Sequence, residues 1–141
     1  MADFRILVTG SRDWDDEATL ALHLGMASGE TPDWRDVVVV HGACPKGADK
    51  IADTLARSHK VRREPHPADW DTYGRAAGFR RNAEMVALGA NVCLAFIMPC
   101  TDAKCRRPGP HGSHGASHCA RLADTNGIET RRFGIVGEFD G

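Results

Sequence analysis

The sequence predicts a single α/β domain built on a doubly wound, mostly parallel sheet of about five strands, with helices on both faces. Three observations carry this. Short apolar runs such as Phe4–Val8, Val37–Val40 and Val92–Met98 alternate with stretches of helical apolar spacing, five times along the chain. The length, 141 residues, suits one core. Glycines cluster just after the strands, where a parallel sheet turns into its crossover helices.

The elements follow in order. Phe4–Val8 reads as a buried strand stopped by Thr9-Gly10-Ser11. Asp15 or Asp16 can cap the first helix, which carries Leu20, Leu22 and Leu24. Gly25 to Pro32 reads as a loop. Val37–Val40 is a β-branched run and the strongest strand signal. The next helix spans Ala48 to Ser58, with Ile51, Ala52, Leu55 and Ala56 on one face, and Val61 to His66 is a weaker strand. Pro67 to Gly78 reads as a long polar loop, Ala76 to Leu88 as a helix ended by Gly89. After the strand at Val92–Met98, residues 98–115 form an irregular Cys/His-rich insertion and Gly loop. Ala116 to Thr125 is the last helix, Ile128 to Phe133 the last strand, and residues 134–141 a frayed tail.

Composition narrows the function. The formal charge is -1, which argues against a nucleic-acid-coating protein and makes DNA handling an unfavoured reading. No run approaches the roughly 18 apolar residues of a membrane span. With no signal pattern at Met1–Arg5, the expected location is cytoplasmic. Five cysteines are an odd number for a disulfide framework.

Three loops at the predicted carboxyl edge carry small or polar residues: Gly10-Ser11-Arg12, Gly42 to Asp49 with Lys46 and Gly47, and Gly112-Ser113-His114-Gly115-Ala116. Glycine admits close backbone approach, and a helix start offers N–H groups and a favourable dipole to an anion. Such loops suit a phosphate held between two helix starts. There is no Gly-Lys-Ser/Thr ending and no Gly-x-Gly-x-x-Gly after the first strand. Ordinary ATPase chemistry and a redox role for NAD or FAD are therefore not expected.

Gly10-Ser11-Arg12-Asp13-Trp14, His41-Gly42 with Lys46-Gly47-Ala48-Asp49, Ala68-Asp69-Trp70, and Ala77-Gly78-x-x-Arg81-Asn82-x-x-Met85 occur in this order. Together they resemble the YspA-like branch of the SLOG superfamily, which takes its name from the Smf/DprA and LOG proteins. The resemblance runs from about residue 4 to residue 133. It implies a Rossmann-like sheet and a site for nucleotides or nucleotide-derived ligands, in proteins commonly encoded by bacteria and their phages. It also leaves a homo-oligomer open.

LOG proteins are phosphoribohydrolases that pair an arginine in Arg-Lys-x-x-Met with a glutamate in Gly-Gly-x-Gly-Thr-x-x-Glu. Arg81 with Met85 matches the first motif. Gly112-Ser113-His114-Gly115-Ala116-Ser117-His118-Cys119 matches the second, with Cys119 where the glutamate stands. A thiol does not replace a carboxylate in stabilising an oxocarbenium ion or activating water. Binding or sensing of a nucleoside phosphate or ADP-ribose-like ligand is therefore the leading expectation, with a nucleotide-processing hydrolase as the alternative. For a hydrolase, Arg81 and Asp69 are the catalytic candidates, with Asp49 and Glu84 as other acids. Asn82 is a candidate ligand contact. Arg80 is left between site and surface. Trp70 and Tyr73 are open to base stacking or packing.

Cys100, Cys105, His111, His114, His118 and Cys119 crowd 20 residues. Cys100, Cys105, His111 and Cys119 make a candidate structural zinc site, with His114 left to face the ligand. A catalytic zinc and a loop of incidental thiols remain as alternatives.

Overall fold

A computed structural model describes residues 2–101, 103–105 and 112–134. Strands β1 (Phe4–Gly10), β2 (Val37–His41), β3 (Arg62–Pro65), β4 (Val92–Ile97) and β5 (Glu129–Gly134) form one sheet in the order β3-β2-β1-β4-β5. Every pairing is parallel. Helices α1 (Glu17–Ser28), α2 (Ala48–Ser58), α3 (Trp70–Tyr73), α4 (Ala77–Leu88) and α5 (His114–Thr125) connect the strands, with 3-10 turns at Trp34–Asp36 and Gly74–Ala76. The result is the Rossmann-like α/β fold that the alternating pattern predicts.

Strand alternation sorts the core into two layers. Ile6, Val8, Val37, Val39, Leu94 and Phe96 turn to the face covered by α1 and α2. Leu7, Val38, Val40 and Cys93 turn to the other, against Met85 and Val86 of α4 and Cys119 and Ala123 of α5. Ala95 and Ile97 meet Ala116 and Ala120 on that same side. The central strands are buried on both faces, which is why they read as unbroken apolar runs.

Small residues bring the helices close. Ala48, Ala52 and Ala56 form the buried side of α2. At Gly10 an added Cβ would lie 2.3 Å from the Ala48 Cβ and 2.7 Å from the Phe96 carbonyl oxygen. No side chain fits where β1, β4 and α2 converge.

Several boundaries differ from expectation. Helix α1 runs through Gly25 to Ser28, because Asp16 caps it by accepting the Thr19 N–H at 3.0 Å and Ser28 bonds back to Leu24. The polar stretch after Pro67 is not all loop: it holds α3 and the turn at Gly74–Ala76. Helix α5 begins two residues early, at His114, with Ser113 as its cap residue. The sequence between β4 and α5 is pinched by a bridge between Pro99 and Gly112 and by the Ser113 N–H to Met98 carbonyl bond at 2.9 Å. Apart from Gly134, which ends β5, the expected tail lies outside the described residues.

One polar tie links β1 to β3 across β2. Arg5 grips Glu64 with two bonds of 2.8 Å, and His66 Nε2 lies 2.6 Å from the same carboxylate. The Arg5 guanidinium holds the Glu64 carboxyl at about 2.

Two predictions follow from this geometry. Gly10→Ala should cost about 3 kcal/mol in urea unfolding, since the colliding atoms are backbone and a buried Cβ. Glu64 has a depressed folded-state pKa, so its contribution is complete above the unfolded value of 4.5 and disappears as pH falls toward about 2. With a third of its side chain exposed, that contribution is on the order of 1 kcal/mol. Unfolding midpoints measured across this window should fall more steeply for the native chain than for Glu64→Gln.

Candidate functional site

Successive strands run outward from β1 in one direction to β3, then restart beside β1 at β4. The connections therefore leave the sheet in opposite directions at the β1/β4 boundary, and a crevice opens beyond the strand ends. A cleft of about 560 Å³ lies there. That volume suits a nucleotide-sized small molecule.

Its floor comes from the loop after β1. The Ser11 N–H donates to the Phe96 carbonyl at 2.9 Å, and the Ser11 Oγ accepts the Met98 N–H at 2.8 Å. The same hydroxyl meets Ser113 Oγ, so a single buried serine joins β1, β4 and the start of α5. Ser113 leaves the first turn of α5 without a side-chain cap. Helix α2 also starts without one, at Gly47, whose φ of +77° and contact with the Ser11–Arg12 backbone exclude a side chain.

The second loop is shaped by His41. Its Nδ1 accepts the Ala43 N–H at 3.0 Å, which makes Nε2 the donor to Asp53 at 2.8 Å. This supports Ala43 in a left-handed conformation, φ 58°. Above it, Arg81 of α4 donates to the Gly42 and His66 carbonyls and, through Nε, to Asn82 Oδ1 at 3.0 Å. Asn82 is buried and donates to the Gly115 carbonyl at 3.2 Å, tying α4 to α5. A Cβ at Gly42 would sit 2.6 Å from an Arg81 nitrogen and 2.9 Å from an Asp49 oxygen, so this glycine makes room for both charges. Asp49 is 6% exposed and accepts the Cys44 N–H at 3.2 Å. Burial pushes its carboxyl upward, against the opposing pull of that bond and of the Arg81 charge.

Arg12, Lys46, Arg75 and Arg81 all line the cleft, against two acids, Asp13 and Asp49. Trp70 and Phe79 line it as well, each about half exposed. The Arg12 guanidinium lies 5.6 Å from the Trp70 ring centre.

Most residues singled out in the sequence meet at this cleft: Gly10, Ser11, Arg12, Gly42, Lys46, Asp49, Arg81, Asn82, Ser113, His114 and Gly115. Gly47 and Gly112 shape its loops without lining it. Asp69 is placed differently from expectation. It is the exposed cap of α3, accepting the Thr72 N–H at 3.1 Å, and its bonds to Thr72 hold the carboxyl below its usual value. Glu84 is exposed on α4. Of the candidate acids, Asp49 is the one in the cleft wall. Tyr73 carries Arg80, whose guanidinium lies 3.9 Å from its ring centre, and neither lines the cleft.

Arg75, Phe79 and Thr101 belong to the wall and went unnoticed in the sequence. Phe79 stands beside Gly78 in a matched motif, a usable signal. Arg75 gave none, since one arginine in a polar stretch looks like any surface charge.

The Cys/His cluster is also rearranged. Ligand atoms of Cys100, Cys105 and His114 lie within 4.8 Å of one another. The His114 Nε2 stands 3.5 Å from Cys100 Sγ and 3.3 Å from Cys105 Sγ. Cys119, expected in this group, is fully buried on the inner face of α5 against Cys93. Its hydrogen bond with Cys93, together with burial, raises the Cys93 thiol. Helical geometry explains the change: Cys119 lies five residues after His114, on the sheet side of the helix. His111 lies outside the described residues.

Arg81→Lys should destabilise the chain by about 1–3 kcal/mol in urea unfolding, because one ammonium cannot serve Gly42, His66 and Asn82 together.

Residues 4–73 match the family described as YspA, cpYpsA-related SLOG. The gene 61 protein of Mycobacterium phage D29 is 41% identical over 136 residues, which covers 92% of this chain and 96% of that protein. No solved structure matches the chain. The family match takes in the ordered motifs from Gly10 to Trp70, and the chain belongs to the YspA- and cpYpsA-related SLOG family.

Proposed function

We propose that the cleft at the β1/β4 boundary binds or senses a nucleotide or nucleotide-derived ligand, a nucleoside phosphate or an ADP-ribose-like molecule, through its phosphates. The observation that carries this reading is the convergence of Arg12, Lys46, Arg75 and Arg81 with the side-chain-uncapped starts of α2 and α5 on one cleft. Guanidinium forks and open helix N–H groups are suited to phosphate. The exposed Trp70 and Phe79 supply apolar faces for a base. Family membership supports a nucleotide-related ligand in general terms.

The alternative is a hydrolase of N-glycosidic or phosphoester bonds in such ligands. One observation favours it: a carboxyl with a raised pKa, Asp49, in the cleft wall beside Arg81. Asp49 is then the acid, in place of Asp69.

The cofactor reading is zinc. Two thiols and an imidazole are a donor set that zinc accepts. Held by Cys100, Cys105 and His114, the ion ties the segment between β4 and α5 to the start of α5 and clamps that crossing. The chain is otherwise read as a cytoplasmic protein with no membrane or nucleic-acid partner. None of its described helices is long and apolar enough to cross a membrane. Self-association is left open.

Calorimetric titration with AMP, ADP, ADP-ribose, NAD and cyclic nucleotides should reveal at least one ligand, with affinity falling as salt rises. Arg81→Ala should weaken it at least about tenfold, roughly 1.4 kcal/mol. Silence across the panel at saturating concentrations would sink the binding reading. For the hydrolase, the readout is free base or phosphate from purified protein, abolished in Asp49→Asn. The native activity should fall as pH rises through the elevated Asp49 pKa if that carboxyl acts as the acid.

A further inference from the structure

We propose that the outward face of α1, with the groove between α1 and α2, joins two copies of this chain in a two-fold dimer whose facing helices run antiparallel. The inference uses neither the ligand reading nor the zinc reading. It names the face through which the chain self-associates.

The composition of α1 is the first support. From Glu17 to Ser28 the helix carries one charged residue, Glu17 itself. Leu20, Leu24 and Ala27 are buried in the core. His23 stacks on Phe133 of β5, with ring centres 4.0 Å apart. The remaining side holds Ala18, Leu22, Gly25 and Met26, all exposed and within about 100° of one another at 3.6 residues per turn. Leu22 and Met26 are 59% and 60% exposed. A surface helix turns charges outward, as α2 does with Lys50 and Arg57 and α5 with Arg121 and Asp124. A helix that is apolar on every side is the kind that is covered on every side.

The relief of the face is the second. An apolar groove of about 440 Å³ is walled by Leu24, Gly25 and Ser28 of α1, Leu55 and His59 of α2, and the exposed Trp34. A Cβ at Gly25 would meet open space. Leu22 and Met26 flank that glycine one helical turn apart, so an apolar ridge stands at the lip of the groove. Ridge and groove on one face are what a self-complementary contact needs, since each copy can seat its ridge in the other's groove.

Charge selects a second copy as the occupant. Helices α1 and α2 follow parallel strands and cover the same face of the sheet, so they run in one direction. Exposed acids, Asp15, Asp16 and Glu17, stand at the start of α1. Exposed bases, Arg57, His59 and Lys60, stand at the end of α2. A two-fold axis perpendicular to the helices reverses the partner, and the acidic end of each copy then meets the basic end of the other. Ala18, Leu22, Gly25 and Met26 do not line the cleft, so the contact leaves it open.

The test is analytical ultracentrifugation of the full chain, kept reduced so that no intermolecular disulfide forms. From low to high micromolar concentration the mass should rise from 15.3 kDa toward twice that value. Met26→Glu places an unpaired carboxylate in the contact and should raise the dissociation constant at least about tenfold, with circular dichroism and unfolding midpoint unchanged. Glu17→Lys and Lys60→Glu should each weaken the dimer about two- to fivefold, and the double variant should regain the native affinity. A monomer at every concentration would overturn the proposal, whether residues 135–141, an apolar small molecule or a lipid surface then proved to fill the groove. A dimer indifferent to Met26→Glu would place the contact elsewhere and overturn it too. A double charge variant no tighter than the single ones would overturn the antiparallel two-fold arrangement.

Discussion

The contact on which the rest depends is the meeting of β1, β4 and α2 at Gly10 and Ser11. Gly10 has no room for a side chain, so the two central strands and the start of α2 close to backbone distance. Ser11 then uses its backbone N–H and its hydroxyl to hold Phe96, Met98 and Ser113. These bonds fix the end of the sheet at the point where the chain reverses direction. A cleft at that point is a consequence of topology. Its rigidity is a consequence of two small residues.

The charged wall is built on the same logic of scarce space. Gly42 leaves a gap that the Arg81 guanidinium and the Asp49 carboxyl fill. Arg81 is oriented by two carbonyls and by Asn82, and Asn82 is held by α5. Three segments far apart in the chain thereby set one arginine. The partial burial of opposite charges also explains the chemistry on offer. Burial raises the Asp49 carboxyl above its ordinary value, and the Arg81 charge opposes that shift.

The loss of the LOG-type glutamate has a structural counterpart. Cys119 faces the sheet and shares the core with Cys93, so no acid reaches the cleft from that helix position. One turn and more toward the helix start, His114 meets Cys100 and Cys105. The segment between β4 and α5 thus carries a donor set in place of a carboxylate.

By itself, the sequence determined the sheet and most of the cleft loops. Valine runs such as Val37–Val40 are buried on both faces and cannot be mistaken for amphipathic helices. Gly10, Gly42 and Gly47 are legible because close backbone approach needs glycine whatever surrounds it. Ordered motifs placed Arg81 and Asn82 for the same reason, since each must reach a fixed backbone group. Only the tertiary structure decided which acid, which aromatic and which thiols belong to the site. Asp69 and Asp49 look alike as sequence, but one caps an exposed short helix while the other lies under Arg81. Cys119 and His114 sit in one motif, yet a helix turn sends them to opposite sides. Side-chain direction on a helix depends on the register at which it starts, and α5 starts where a serine at the end of the neighbouring strand β1 holds it.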